Sequence, residues 1–452
     1  MGNLANSPEA ATPKLRRALG LWDLVLYGIV VVQPTAPMPV FGVLSDRGRG
    51  HVVTTILLAM TAMLFTAISY GRLARVYPSA GSAFTYVGRE INPAAGYITG
   101  WSMVMEYMLN PIICTVWISQ QAHNFVPAIP YGAWAVFIAI LFTAVNVLGI
   151  RTSASINAAL TSGMGMVILI FFVAAARFIF GHFDNSAAFF SRPFYDPRTF
   201  HIGSVLGGTS IAVLTYIGFD GISTLSEEAK NPKRNIPIAT VLTCVVIGFL
   251  SAAEVYAAQL VWPASERFPD VTTAFVYVAG RTWAPLFGIV GLTLIVANVG
   301  SGMGAQIGAA RLLFGMGRSN ALPKRFFGAI EPKRKVPRNN VLFVGAVTLV
   351  GAFVLNYDLG AQMLNFGALI AFMGVNLAAF IRFYVREKVK ELTNFVPPLL
   401  GFCICLLLWG NLSRIAQIAG AIWMAIGIGF GFWKTRGFRS ELVNFEISAE
   451  ET

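Results

Sequence analysis

The stretch GIVVVQPTAPMPVFG, residues 28–42, decides how this chain is interpreted. It lies within an apolar run, residues 21–44, that is long enough to cross a bilayer. Pro34, Pro37 and Pro39 fall in its middle, and each proline removes a backbone N–H donor and clashes with the preceding turn. Irregular backbone at membrane depth is tolerated where it is buried in protein or lines a wet cavity. Three prolines therefore predict a broken first helix beside a cavity, in preference to a simple kink.

A second interrupted run lies at residues 203–225. Its centre reads YIGFDG, residues 216–221, so that two glycines and an acid interrupt an apolar segment. Interrupted segments at corresponding places in two halves of a membrane protein point to a binding site between them. We therefore expect the two breaks to form one site.

Composition places the chain among helical membrane proteins. It has 452 residues, of which 56% are hydrophobic and 12% charged, and the apolar residues occur in long blocks. The net charge of +12 does not indicate a nucleic-acid partner, because the basic loops carry no recognisable binding motif. The four cysteines lie in apolar runs and the four histidines are scattered, so we expect no disulfide framework, metal site or cofactor.

Twelve membrane spans are predicted, with both tails outside them. A tail of residues 1–20 precedes a transmembrane domain of residues 21–433, and a tail of residues 434–452 follows it. The predicted spans are 21–44, 51–71, 94–120, 129–149, 153–180, 203–225, 237–262, 284–309, 340–356, 361–384, 395–411 and 413–433. The long connections 181–202 and 310–339 are expected to be loops or short surface helices.

The basic residues predict the orientation in the membrane. Of the 33 Lys and Arg residues, 25 fall on the side that holds the termini and the even-numbered connections, and 8 fall on the other side. Basic residues are enriched on the cytoplasmic side, so both termini are expected in the cytoplasm, with the chain in the plasma membrane. The excess positive charge also predicts an affinity for anionic lipid of the inner leaflet.

The span count predicts an inverted repeat. Spans 1–5, residues 21–180, and spans 6–10, residues 203–384, form two halves, and an odd number of spans per half gives them opposite orientations. The last two spans, residues 395–433, lie outside the repeat.

Four stretches resemble the amino acid–polyamine–organocation (APC) permeases. GFDGIST at 218–224, followed by EEAKNPKRNIP at 227–237, resembles the sixth helix and following loop of that family. The other stretches are PSAGSAFTY at 78–86, the pairs GW and EY at 100–101 and 106–107, and RLLFGMGR at 311–318 with LP at 322–323 and PRN at 337–339. The resemblance implies a leucine-transporter-like fold of twelve helices and secondary transport of amino acids or amines by alternating access.

The first break departs from the usual pattern of amino-acid members. Those members carry a Gly-Ser/Thr-Gly type break whose N–H groups hold the substrate carboxylate, whereas this chain has PTAPMP at 34–39. The form resembles the putrescine-importer branch, as do FTAISYG at 65–71 and EYMLNP at 106–111. A diamine has no carboxylate to hold, so a polyamine substrate and an amino acid substrate both stay open.

Two acids in the spans are the leading site candidates. Glu106 lies in the middle of span 3, where a carboxylate is expected to face the bundle interior and to meet a substrate ammonium, carry a proton or bond to another helix. Asp220 follows the second break, where it either attracts a cationic substrate or caps the half-helix that begins near Gly221.

The remaining predicted substrate-binding residues flank the two breaks and span 3. Backbone carbonyls freed before the second break suit an ammonium group, and aromatic side chains beside it either cover the substrate or belong to the core. The full predicted set is Val32, Gln33, Thr35, Ala36, Met38, Met103, Glu106, Tyr107, Leu214, Thr215, Tyr216, Ile217, Phe219 and Asp220.

Three other acidic positions have plainer interpretations. Glu254, in span 7, is a candidate for lining the outer vestibule. Asp23, at the inner end of span 1, is expected to be a gate or a cap. Glu227 and Glu228 lie beside basic residues after span 6, which is typical of a solvated ion-pair cluster or an inner gate.

The coupling ion is predicted to be a proton. The resemblance implies that a sodium site would use carbonyls of helix 1 and hydroxyls of helix 8, where Asn298 and Ser301 fall without an evident hydroxyl pair. Some proton-coupled relatives place a lysine in helix 5, and the matching place here is close to Met164. Proton symport through Glu106 is therefore preferred over sodium coupling.

Other function classes find less support in the sequence. A substrate-sensing receptor on the same fold is the alternative, although the short tails leave little room for a signalling domain. An enzyme is not expected, since the chain contains neither HExxH nor GxSxG. The oligomeric state is open.

Overall fold

The computed structural model describes residues 19–77, 82–149, 154–183, 186–226, 228–318, 322–334, 336–435 and 437. Several predictions concern residues outside these ranges: most of both tails, residues 78–81 of the connection before span 3, and Glu227. Within the described ranges the backbone is helical, and the one β-bridge joins Leu19 to Ala229.

Seventeen α-helices follow one another along the described chain. They are α1 (Leu21–Val32), α2 (Pro37–Arg47), α3 (Val52–Val76), α4 (Ser82–Glu90), α5 (Pro93–Phe125), α6 (Tyr131–Leu148), α7 (Ala154–His182), α8 (Ala187–Ser191), α9 (Ile202–Ala212), α10 (Pro232–Val261), α11 (Ala274–Thr282), α12 (Pro285–Arg318), α13 (Lys324–Phe327), α14 (Arg338–Val354), α15 (Tyr357–Phe380), α16 (Leu392–Gly410) and α17 (Arg414–Lys434). Two 3₁₀ segments, Val213–Tyr216 and Phe219–Leu225, continue α9, and a π-helical turn, Ile381–Arg386, continues α15.

The helices are those of a polytopic membrane protein. Nine helical segments of the described chain are long and apolar enough to cross a membrane, and α1 with α2 makes a tenth if the bent pair is one span. Helix α14 is shorter, at 17 residues. Helix α5 has 33 residues but is not among the nine, and polar residues such as Glu106 and Asn110 lie within it. The count of twelve therefore stays a prediction.

The largest error in a predicted span boundary is at the end of α12, and two helices were not predicted. Helix α12 continues to Arg318, although residues 310–318 were assigned to a connection. Leu313 and Met316 are buried there, so an apolar face sustains the helix beyond the predicted span. The short helices α4 and α11 were not predicted, whereas α8 and α13 confirm short helices in the two long connections.

Corresponding helices of the two predicted halves pack against each other. Helix α3 lies along α10, α5 along α12 and α6 along α14, and α1 contacts the segment Phe219–Leu225. This arrangement brings the first break and the second break to the same part of the molecule.

Candidate functional site

The first break is a true interruption of the helix. Helix α1 ends at Val32, Gln33 adopts a positive φ of 71°, and the axes of α1 and α2 differ in direction by 57°. The proline-rich sequence explains this, because a proline cannot donate the bond that would continue α1. The predicted broken helix is confirmed.

At this break nearly every residue is either a proline, which has no backbone N–H, or a residue whose N–H already donates a hydrogen bond. Gln33 donates to the Ile29 carbonyl at 3.0 Å, Ala36 to Gln33 at 3.2 Å, and Met38 to Thr35 at 3.0 Å. The three prolines between positions 34 and 39 have no N–H. In the described break this leaves the Thr35 N–H as the one backbone donor without a backbone acceptor.

The second break depends on Gly218. Helix α9 tightens into the 3₁₀ segment ending at Tyr216, Ile217 is extended, and Gly218 has a φ of 115°, which a residue with a Cβ adopts only under strain. The Leu214 carbonyl accepts a long bond of 3.3 Å from the Ile217 N–H. A Cβ on Gly218 would lie 3.1 Å from Val31 Cγ1, so the end of α1 is in contact with this break.

The helix ends at the breaks favour a positive charge. Helix α1 and the segment Val213–Tyr216 both end there, and helix C-termini carry partial negative charge. Helix α2 begins there with Pro37, and Pro39 follows, so its N-terminal turn has few free donors. The segment Phe219–Leu225 also begins there, and the Asp220 carboxylate lies beside its N-terminal N–H groups.

Asp220 caps the segment in which it lies. The backbone N–H groups of Gly218, Asp220 and Gly221 are directed at its carboxylate. Its backbone carbonyl accepts a bond of 2.7 Å from Ser223 Oγ. The nearby N–H groups fit the capping interpretation, whereas the Ser223 bond involves only the backbone of Asp220, and the role of its side chain stays a prediction.

Glu106 and Asp220 form a pair of buried carboxylates. Each is 7% exposed, and the two are close enough to interact electrostatically. In the described part of the chain, neither forms an ion pair with a Lys, Arg or His side chain. Two like charges buried together are unfavourable unless a proton or a cation joins them. The site is therefore built to receive positive charge.

Aromatic side chains and a close helix contact surround the two acids. Tyr70 and Tyr107 lie within electrostatic range of both carboxylates. The Tyr70 ring packs edge-on against Phe219, with ring centroids 5.7 Å apart. A Cβ on Gly367 would lie 2.5 Å from the Ser102 carbonyl oxygen, so only glycine lets α15 approach α5 beside Glu106.

Tyr70 and Gly367 were not predicted as site residues. A tyrosine within an apolar span gives little signal by itself, because most such residues belong to the core. The Tyr70 hydroxyl is buried and has no hydrogen-bond partner among the described residues. This feature depends on how the neighbouring helices pack, so the sequence does not reveal it.

Several predicted residues connect the breaks to the surrounding helices. Gln33 Nε2 donates to the Ala297 carbonyl of α12 at 2.9 Å, and Thr35 Oγ1 lies 4.0 Å from Met164 Sδ in α7. The Tyr216 hydroxyl donates to the Ile56 carbonyl of α3 at 2.9 Å. Tyr216 therefore fastens the second break to α3 in this conformation.

The other predicted substrate-binding residues lie near the breaks at different depths. Val32, Met38, Met103 and Phe219 are buried, while Ala36, Tyr107, Leu214 and Ile217 are partly exposed. Thr215 is buried with its hydroxyl oxygen unbonded. The substrate-binding role of each stays a prediction.

The two residues considered for ion coupling bond elsewhere. Asn298 Nδ2 donates to the Leu294 carbonyl one turn earlier at 2.8 Å, and Ser301 Oγ lies 3.4 Å from Asn110 Oδ1 of α5. Both contacts tie these side chains to helices.

Of the remaining predicted acids, Asp23 and Glu228 form contacts at the start of α1, whereas Glu254 is isolated among the described residues. Asp23 accepts a bond of 2.8 Å from the Gly20 N–H, which makes it a cap of α1. The Glu228 carbonyl accepts from the Leu19 N–H at 3.1 Å, and so joins the start of α1 to the chain after the second break. Glu254 is buried in α10 without a hydrogen bond.

The chain is similar in sequence to known permeases and importers. The profile of the family described as "Amino acid permease" matches residues 41–432. The chain is 34% identical to the low-affinity putrescine importer PlaP of Escherichia coli K12, over 97% of this chain and 98% of that protein. It is 24% identical to the branched-chain amino acid permease BcaP and 26% identical to the methylthioribose transporter, both of Bacillus subtilis, each over 93% of this chain and 94% of the relative.

Proposed function

Because the chain belongs to the amino acid permease family, and is therefore a membrane transport protein, we propose that it imports putrescine or a closely related diamine. The observation that carries this proposal is the pair of buried carboxylates, Glu106 and Asp220, without a basic partner among the described residues. Putrescine carries two ammonium groups and no carboxylate. Its ammonium groups would offset negative charge at the site.

The first break supports a diamine over an α-amino acid. An α-amino acid needs donors for its carboxylate, yet the break offers a single free backbone N–H, that of Thr35. The helix ends that point carbonyl groups at the site favour a cation. The name of the relative PlaP, a putrescine importer, agrees with this argument from the residues.

The transport cycle is proposed to be alternating access within an inverted repeat. The adjacent breaks and the pairing of α3 with α10, α5 with α12 and α6 with α14 support two related halves, residues 21–180 and 203–384. Residues 395–433 would lie outside the repeat, and both termini would be cytoplasmic. The relatives named above are importers, permeases and transporters, which favours transport over a receptor function.

Proton coupling through Glu106 is proposed in preference to sodium coupling. Two interacting carboxylates in one buried site favour binding of a proton at one of them. The resemblance implies that a sodium site would use hydroxyl oxygens on α12; of the two residues considered there, Asn298 has no hydroxyl group and Ser301 Oγ contacts Asn110 Oδ1.

Uptake of labelled putrescine into proteoliposomes tests the proposal. Saturable uptake driven by an imposed proton gradient is expected, with no stimulation by a sodium gradient. Butylamine, which has one ammonium group fewer, is expected to compete poorly. Full competition by an α-amino acid, with none by diamines, would overturn the diamine assignment. Uptake that follows only a sodium gradient would overturn proton coupling.

A further inference from the structure

Glu254 is a buried acid that the proposed substrate site does not use. It lies in α10 with 0% exposure, and neither carboxyl oxygen has a hydrogen-bond partner among the described residues. An ionised carboxylate in such surroundings is strongly unfavourable, because it loses hydration and gains no compensating bond. In this conformation the group is therefore neutral and carries a proton.

The position of Glu254 is separate from the two breaks. Cys244, on the same helix, is within electrostatic range of Asp220, and Glu254 lies roughly 15 Å further along α10 at 1.5 Å per residue. Beyond it, Gln259 accepts a bond of 2.8 Å from Ser45 of α2. Glu254 thus lies between the substrate site and the end of α10 at Val261.

The helices around Glu254 supply no compensating charge. Helix α10 packs against α1 and the two 3₁₀ segments of the second break, which carry Asp23, Tyr27, Tyr216 and Asp220, and against α2, α3, α7 and α11. The titratable and charged groups at this end of those helices are Asp46, Arg47, His51, Arg177, His182, Tyr277 and Arg281. None of them acts electrostatically on the Glu254 carboxyl group. Arg47 pairs with Asp358 and Arg281 with Glu266, so both of these arginines are already engaged.

Two unbonded hydroxyl groups accompany Glu254 on α10. Ser251 lies one turn before it, and Thr243 lies about three turns before it on the same face. Both hydroxyl oxygens are buried, and neither has a hydrogen-bond partner among the residues that the structure describes. Because a hydroxyl group both donates and accepts, Ser251 is suited to exchange a hydrogen bond with a carboxyl group one turn away. Thr243, Ser251 and Glu254 are thus three buried polar groups along α10, of which Thr243 lies one residue from Cys244.

The geometry points to Glu254 as a second proton-binding site, which binds one proton as its carboxylate becomes a neutral carboxyl group and releases that proton when water reaches it. The inference rests on the proposed transport cycle, since separation of α10 from α2 or α7 would hydrate the group. Glu254 touches neither break, so its expected role is in coupling and not in substrate binding.

Infrared difference spectroscopy of the purified full chain tests the protonation directly. At neutral pH we expect the wild type to show, beside any band from a proton held by the Glu106–Asp220 pair, a carbonyl band of a protonated carboxyl group that is lost in Glu254→Gln. Glu266→Gln is the matched control, since it makes the same change in an exposed glutamate paired with Arg281, and it should keep the band. Glu254→Asp should retain a shifted band. A wild-type-minus-Glu254→Gln difference spectrum without a carbonyl band of a protonated carboxyl group would overturn the inference.

Transport separates this inference from the proposed function. Glu254→Gln should retain putrescine counterflow, which needs no proton gradient, and should lose gradient-driven accumulation above equilibrium. Unchanged accumulation with an unchanged pH dependence would show that Glu254 takes no part in coupling. If the wild type shows no counterflow, the proposed substrate is wrong, whereas the infrared result still decides whether Glu254 binds a proton. If Glu254→Gln does not fold, the Glu254→Asp shift decides.

Discussion

Glu90 and Glu106 lie close in sequence, on α4 and α5, and both are nearly inaccessible to water, but their surroundings differ. Glu90 is 0% exposed, and it accepts bonds from Arg386 at 2.8 Å and from the Tyr77 hydroxyl at 2.6 Å, with Arg382 3.6 Å away. Glu106 is 7% exposed and faces another acid, Asp220. Burial alone therefore does not identify a functional carboxylate in this protein.

The two glutamates differ in the source of the positive charge that compensates the carboxylate. At Glu90 the chain supplies it, and the resulting cluster joins α4 to the π-helical end of α15. Burial and the bond to Glu90 raise the pKa of Tyr77 to about 12, so its phenol remains a donor at physiological pH. At Glu106 the described chain supplies no cation, so the charge must come from a proton or a substrate.

The largest expected effect is that of Glu106→Gln on substrate affinity. Removing one partner of a buried charged contact costs about 2–5 kcal/mol, so the half-saturating putrescine concentration should rise by about 30-fold or more. Concentration-dependent uptake in proteoliposomes measures this. An unchanged affinity and an unchanged pH dependence would mean that Glu106 has a structural role.

Glu90→Gln should affect stability instead of affinity. The neutral amide leaves Arg382 and Arg386 without their carboxylate, and because both arginines are partly exposed the loss should be about 1–3 kcal/mol. Thermal unfolding in detergent should show a lower midpoint, with putrescine affinity like that of the wild type. A loss of putrescine affinity as large as in Glu106→Gln would contradict the assignment of a purely structural role to Glu90.

Asp220→Asn should weaken putrescine binding less than Glu106→Gln does. The side-chain oxygen of asparagine still accepts from the backbone N–H groups of the capped segment, so the break keeps its shape while one negative charge is lost. A decrease in affinity of about tenfold is expected. Uptake kinetics measured beside Glu106→Gln decide the order, and a larger effect at Asp220 would make it the main ammonium ligand.

The smallest effect concerns Asp196, an acid paired with arginine outside the membrane-spanning helices. Hydrogen bonds from the Arg198 side chain lower its pKa to about 2. Because the folded pKa lies below the unfolded value of about 3.9, the pair stabilises the fold above about pH 4 and loses this contribution as the pH falls towards about 2. Exposure of Arg198 keeps the effect small.

Thermal unfolding of wild type and Asp196→Asn tests that expectation. The two proteins should differ slightly above about pH 4 and converge as the pH approaches about 2. A difference that grows with acidification would contradict the assigned direction of the pKa shift. The comparison also indicates how much of the Glu90 effect depends on burial.

The sequence by itself determined where the helices break. Pro34, Pro37 and Pro39 remove donors, and Gly218 permits a positive φ, so both interruptions are local consequences of residue type. The membrane class and the family also followed from local features. The extent of α12 did not, because its continuation to Arg318 depends on burial of Leu313 and Met316 against other parts of the chain.

Only the tertiary structure decided which acids are paired. Glu90 meets Arg382 and Arg386 from the end of α15, Glu106 meets Asp220, and Glu254 meets no charged group in the part of the chain that the structure describes. All three glutamates lie on helices, and residue type gives no sign of these differences. A residue of opposite charge often lies far away in the sequence, and only the packing of whole helices brings it next to the acid. A single sequence states the charge of a residue, and packing decides whether that charge is neutralised by the protein or left for a ligand.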